Sequence, residues 1–308
     1  MGFRVRKTLV IAVGAGLLAA GCVGDNETPQ SELDDYEPGT VDELECMPDL
    51  DEQIRADQLQ PAFDIPVTYR VSPAGQQRPI DLAGHTIEPT GERVWDLSAT
   101  DGDYANDQSL EVVATEIDDR WYADDFEDGE FATILDPSTA IEAIYSHDGD
   151  TLYLHGYASA EEDPEIGQTL VPYAEPVVAY DFPVEVGDSW SDTGEAHNAV
   201  VRDLPYSASE HYEFEVDASG QLWLPDIQFQ QVLRVRTSLT IDMALGNPIY
   251  REQVQYLFEC FGEVARLVGP DREIVDGDEF EPGEEVRQGS EAQDYDFDRT
   301  VEMRRLGF

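Results

Sequence analysis

Lysine is nearly missing from this chain of 308 residues, with Lys7 the single example. Basic residues of both kinds number 18 against 67 acidic ones, a net charge of −49. Such a balance repels nucleic acid and anionic lipid surfaces, so DNA binding and polybasic membrane docking are both excluded. Sustained helical periodicity is missing too, which argues against a helical bundle. Histidine occurs five times, as His85, His147, His155, His197 and His211, and no two stand three or four apart as a metal site on a helix would require. Cysteine occurs three times, too few for a disulfide framework.

What is present begins at the N-terminus, where Arg4, Arg6 and Lys7 precede an uncharged stretch from Thr8 to Gly21. A membrane span needs roughly 20 apolar residues; this run has the length of a cleaved export signal. It ends in Leu17-Leu18-Ala19-Ala20-Gly21-Cys22, which resembles the bacterial lipobox, with Ala19 where leucine is commonest. The resemblance implies cleavage after residue 21, diacylglyceryl and palmitate-type acylation of Cys22, and a firm membrane anchor, since a second acyl chain adds what a single chain lacks. Val23 stands where the enterobacterial pattern puts an inner-membrane aspartate, which favours the outer membrane. The alternative is an ordinary secretory signal that would leave the protein soluble.

Loss of Arg4, Arg6 and Lys7 takes the net charge from −49 to −52. Replacement of lysine by carboxylates across a surface fits life in high salt, where the Debye length falls to about 3 Å at 1 M. The competing reading is a surface that recruits divalent cations. With Cys22 assigned to lipid, Cys46 and Cys260 form an even pair in a disulfide-permissive compartment and are expected to be bridged. The alternative leaves a buried thiol at Cys260 and an exposed one at Cys46.

Residues 22–60 are rich in Asp, Glu, Pro and Gln and read as a flexible acidic tether, held only at Cys46. Residues 61–270 read as a β domain, 271–295 as an acidic loop or linker, and 296–308 as a returning C-terminal edge strand. Strand patterns appear at Val67 to Val71, Leu110 to Ile117, Ala143 to Ser146, Thr151 to Tyr157 and Val177 to Phe182, while Pro137 to Glu142 allows one short helical turn. Tyr212, Phe214 and Val216 alternate, then Asp217-Ala218-Ser219-Gly220 predicts a hairpin turn before Leu222 and Leu224. Leu233, Val235, Thr237, Leu239 and Ile241 predict a core face, with Arg234, Arg236, Ser238 and Thr240 on a wet one. Val254, Tyr256, Phe258 and Cys260 likewise predict an inward face. The fold class is therefore all-β, either an antiparallel sandwich or a curved, partly open barrel.

Three segments carry a second resemblance: Val94-Trp95-Asp96-Leu97-Ser98, then Phe182-Pro183 leading into Gly187-Asp188-Ser189-Trp190, then Gly220-Gln221-Leu222-Trp223-Leu224-Pro225 with Val232 to Arg236. They resemble a broad group of uncharacterised secreted β-rich proteins of Gram-negative bacteria, in which Phe261-Gly262-Glu263-Val264 matches a closing element. Leu97 and the acidic stretches near 124–130 and 161–165 depart from that pattern. The resemblance implies a β scaffold and supplies no catalytic residue. The residues read the same way: Trp95 and Trp190 bury large rings, Gly187-Asp188 turns the chain, and Arg234 pairs with a carboxylate.

Candidate chemistry is sparse. Ser189 lacks the second glycine of a nucleophile elbow and reads as a turn serine. His147 and His155 flank a turn that would set His155 near Glu142. Asp101, Asp103 and Asp107, and Asp124, Asp125, Glu127 and Asp128, offer oxygens suited to weak Ca²⁺ binding without matching the twelve-residue calcium loop. Paired carboxylates for glycoside hydrolysis leave no local signature. The expectation is a lipid-anchored envelope protein, with no cofactor and no catalytic residue, whose β domain binds or scaffolds an envelope protein, a glycan or a hydrophobic ligand. Its rivals are a carrier of hydrophobic molecules, marked by an unfilled pocket lined by Tyr, Trp and Leu, and a carbohydrate-active hydrolase, marked by facing carboxylates backed by tryptophan.

Overall fold

Period-two alternation produces strands over most of the chain. The computed structural model describes residues 46–274 and 300–307. Its strands are β1 (Gln53–Ile54), β2 (Val67–Val71), β3 (His85–Ile87), β4 (Glu92–Asp96), β5 (Gln108–Val112), β6 (Thr115–Glu116), β7 (Phe131–Asp136), β8 (Ile141–His147) and β9 (Thr151–Ser159). The second half adds β10 (Leu170–Asp181), β11 (Val184–Glu185), β12 (Ser189–Val201), β13 (Leu204–Trp223), β14 (Gln228–Met243), β15 (Ile249–Phe258), β16 (Gly262–Val268), β17 (Arg272–Glu273) and β18 (Glu302–Leu306). The fold is all-β, as expected.

Sixteen strands join in one sheet, whose path runs β5, β2, β18, β16, β15, β14, β13, β12, β10, β9, β8, β7, β6, with β3, β4 and β17 attached beside it. Pairing along the path is antiparallel; β4 joins β13 in parallel. Only Val113 and Ala114 separate β5 from β6, so the chain steps directly from one border of the sheet to the other, and no ladder closes the ring. The sheet is thus open and not closed into a barrel.

Two cores lie on opposite faces of the central strands. Val254, Tyr256 and Phe258 pack outward with Trp95, Leu97, Leu222 and Met303. Leu233, Val235 and Leu257 pack inward with Tyr212, Phe214, Val216 and Val177. A one-residue slip turns every following side chain to the other face, and β13 uses this at Asp217. There the pairing passes from Val216↔Val235 to Ala218↔Arg234, leaving Asp217 as the extra residue of a bulge. Val216 therefore serves the inner core and Ala218 and Leu222 the outer one. The expected hairpin at 217–220 is replaced by this bulge within one 20-residue strand. Turn-type residues stand there for other reasons. Asp217 receives two arginines, and a side chain at Gly220 would strike the carbonyl of Arg93 in the parallel neighbour β4.

Both faces of β14 are buried from Val232 to Ser238, so the expected wet face does not exist. Arg234 does pair with a carboxylate. Its Nε and Nη2 donate to Asp217 at 2.8 and 2.6 Å, Arg236 Nε donates to the same side chain at 2.6 Å, and Arg234 lies 4.9 Å over the Trp95 ring. Trp95 in turn donates to the Leu82 carbonyl at 3.0 Å. The Trp-Asp and Gly-x-Leu-Trp segments are thus one scaffold joint, made where β4 lies beside Gln221 to Trp223. Trp190 donates to the Val178 carbonyl and stacks 5.0 Å from Phe214.

The C-terminal segment is not an edge. β18 lies between β16 and β2, bonded on both sides, and its Arg305 and Arg78 converge on Asp107, all three buried. Those ion pairs let a charged strand occupy the interior. The tether expected over 22–60 ends earlier than that: Gln53–Ile54 pair with β11 and Ile54 joins the inner core. Pro137 to Ala140 form a turn and Ile141 already begins β8. Arg272–Glu273 pair with β15, and the rest of the expected acidic linker, from residue 275, lies outside the described residues. No helix among the described residues is long and apolar enough to cross a membrane.

Candidate functional site

Curvature of the sheet leaves an interior cavity of about 1030 Å³. Drug-sized ligands occupy pockets of roughly 300–1,000 Å³, so this one is at the upper end. It follows the strands lengthwise, from Leu59, Leu257 and Phe261 to Arg251, Val268 and Pro270. Phe131, Leu152, Leu154, Phe214, Leu239 and Ile241 supply apolar wall. Tyr69, Tyr145, Tyr157, Tyr180 and Tyr212 add rings with hydroxyls, and no tryptophan lines it.

Two polar stations interrupt that wall. At the first, Glu263 accepts from Gln255 Nε2 at 2.7 Å and Arg266 Nε at 2.8 Å, and Arg304 pairs with Glu302 at 3.0 Å. Burial pushes the Glu263 carboxyl up, but the Arg266 and Arg304 guanidiniums and the Gln255 amide outweigh it and hold it below the usual value. Burial raises Glu302 despite Arg304 beside it. The opposite shifts reflect how many donors each carboxylate has.

At the second station Glu210 is 1% exposed and takes four phenol hydroxyls. Tyr157 and Tyr206 donate to Oε1, each at 2.8 Å, while Tyr173 and Tyr212 donate to Oε2 at 2.7 and 3.2 Å. A carboxylate offers about four lone-pair sites, and all are filled. Burial, followed by the charge of Glu210, lifts Tyr157, Tyr206 and Tyr212 well above the ordinary tyrosine value, and burial and Tyr212 do so for Tyr173. The four hydroxyls therefore stay protonated donors. Gly194 makes room, since a side chain there would meet the Tyr173 ring within 2.8 Å.

The residues singled out from sequence lie largely elsewhere. Cys22 is outside the described residues. Cys46 and Cys260 are bridged, with Cα atoms 5.6 Å apart, and Cys260 is on the cavity rim. It sits beyond the end of β15 in a left-handed turn position, φ 67°, rather than on an inward strand face. His155 bonds the Ser146 hydroxyl at 2.7 Å; the turn is longer than two residues, with His147 opposite Leu152, so that with the following bulge Glu142 falls opposite Ala158 instead of near His155. Burial lowers its pKa. His147 stacks on Phe182, His85 meets the edge of Trp223, and His211 bonds Thr193. Ser189 is an exposed strand residue opposite Glu215.

The expected calcium-type clusters do not converge. Asp107 is taken by arginines. Among the described residues three carboxylates gather only at Asp49, Asp51 and Glu259, within 4.8 Å, where Arg55 bonds both aspartates. No protein-family model, curated protein or solved structure matches this chain. The site is therefore read from its own chemistry. Glu210 carried a signal in the sequence: it falls in phase with Tyr206, Tyr212 and Phe214 on one strand face, a carboxylate among inward residues. Glu263 lay in the closing element of the second resemblance, with no role assigned to it there.

Proposed function

We propose that this chain is a lipid-anchored envelope protein whose β domain carries an amphipathic small molecule inside its curved sheet. The cavity supports the carrier reading. A cavity of about 1030 Å³, open to solvent and walled by aromatic and leucine side chains, is large enough to hold a drug-sized ligand. The polar stations suit a ligand with a polar end, because an entirely apolar guest would leave buried charges facing hydrocarbon. Of the Tyr, Trp and Leu lining expected of a carrier, tyrosine and leucine are present, and the tryptophan expected of both the carrier and the hydrolase is not among the lining residues. The anchor rests on the signal-like N-terminus and Cys22, and it assigns the protein to the envelope, with the outer membrane favoured by Val23.

Uptake of the neutral fluorophore N-phenyl-1-naphthylamine by the purified mature chain tests the carrier. Saturable binding is expected, with loss on Leu154→Arg, which places a charge in the wall. Absence of saturable uptake, or uptake indifferent to Leu154→Arg, refutes it. For the anchor, labelled palmitate should enter the expressed protein, and Cys22→Ser should release it from the membrane fraction; unlabelled protein with unchanged partitioning defeats that part.

A further inference from the structure

We infer that the cavity selects a ligand whose polar end is a protonated amine, with Glu210 as its counter-charge. This rests on the carrier reading above and adds the head-group class. Four arginines line the cavity, and three are already matched: Arg251 with Asp271 at 2.6 Å, Arg266 with Glu263 at 2.6 Å, and Arg304 with Glu302 at 3.0 Å; the fourth, Arg202, sits in the turn between β12 and β13. Glu210 has no arginine within ion-pair distance among the described residues, and phenols alone surround its oxygens. Hydrogen bonds satisfy the carboxylate oxygens but supply no counter-charge.

Tyr157 and Tyr212 line the cavity; the Tyr157 hydroxyl spends its proton on Glu210, and that of Tyr212 is shared within the cluster, 3.2 Å from Glu210 and 2.8 Å from the Tyr173 hydroxyl. What they still offer a guest is oxygen lone pairs. Such a wall accepts hydrogen bonds and donates few, and the fixed negative charge behind it acts in a medium of low polarity. An ammonium group satisfies both conditions, an alcohol only the first, and a carboxylate neither. The tyrosine rings add attraction for a cation when it lies over their faces.

The test is displacement of the neutral fluorophore from the mature chain by dodecylamine, dodecanol and dodecanoate, equal in chain length, at about pH 7, where the amine is charged and the acid ionised. Dodecylamine should displace at about tenfold lower concentration than dodecanol, and dodecanoate should be the weakest of the three. Glu210→Gln should cut the amine advantage to about threefold or less while leaving dodecanol unchanged. Tyr157→Phe keeps the charge and should keep the order of preference. A carboxylate that competes as well as the amine, or an amine advantage undiminished in Glu210→Gln, overturns the inference. If Glu210→Gln does not fold, the order of the three amphiphiles on the unmodified chain decides alone. Displacement by none of them, or equally by all three, overturns the head-group assignment alone, whereas failure of the fluorophore itself to bind saturably overturns the carrier reading.

Discussion

Asp107 offers the sharpest test of how this interior tolerates charge. Its carboxylate is 3% exposed and receives Arg78, 1% exposed, and Arg305, fully buried, the latter at 2.6 Å. The Tyr104 ring lies 4.7 Å from one guanidinium and 5.1 Å from the other. Among the described residues no other carboxylate pairs with either arginine. Asp107→Asn keeps the shape and removes the charge, leaving two buried cations side by side. Breaking a buried ion pair costs about 3–5 kcal/mol. One acceptor oxygen survives, so we expect about 4 kcal/mol, a large share of the 5–15 kcal/mol typical of a folded protein. At roughly 2–4 °C per kcal/mol for a domain of this size, Tm should fall by about 8–16 °C. Urea titration and calorimetry measure both quantities. Glu111→Gln, an exposed carboxylate on β5, is the control and should stay within about 0.5 kcal/mol. An Asp107→Asn loss below about 1 kcal/mol, or one equal to the control, would show that the arginines do not depend on that charge.

Reduction of the Cys46–Cys260 bridge, 214 residues apart in sequence, should cost up to about 5 kcal/mol by the chain-entropy account; an unchanged melting curve in dithiothreitol contradicts it. The Glu263 carboxyl is depressed in the folded protein, so its contribution is complete above the ordinary value of 4.5 and fades as pH falls through the lower folded value. The urea midpoints of Glu263→Gln and the unmodified protein should therefore differ at neutral pH and converge in acid, and a pH-independent gap counts against this. With a net charge of −49, raising salt from about 0.1 M to about 1 M should increase the unfolding midpoint by screening self-repulsion; a flat response argues that the carboxylates are already neutralised by bound cations.

Much of the scaffold was legible in the sequence because alternation dictates strands: β2 coincides with the predicted run, and β8, β9 and β10 overlap theirs. The cysteine count and the expectation of export sufficed for the disulfide. Two features escaped for one physical reason, that charge in sequence was read as exposure to water. Arg234 and Arg236 looked like a wet face, yet Asp217 brings a carboxylate beneath the β4 joint and permits their burial. The C-terminal strand was expected at an edge, yet Asp107 and Glu302 pair with its Arg305 and Arg304 and permit its burial. The cavity escaped because emptiness has no residue signature. Leu239 and Ile241 were recognised as inward, but nothing in one strand tells whether its neighbours fill the space before it. Tyr157, Tyr173 and Glu210 come from three strands and meet only through register.

The strands β14 and β15 carry one apolar compartment on each side. Heat cannot dissolve either compartment while the other survives, since both depend on the same ladder of backbone bonds. Calorimetry of the β domain should accordingly register a single endotherm whose van't Hoff and calorimetric enthalpies agree, and an occupied cavity would displace that endotherm upward without splitting it.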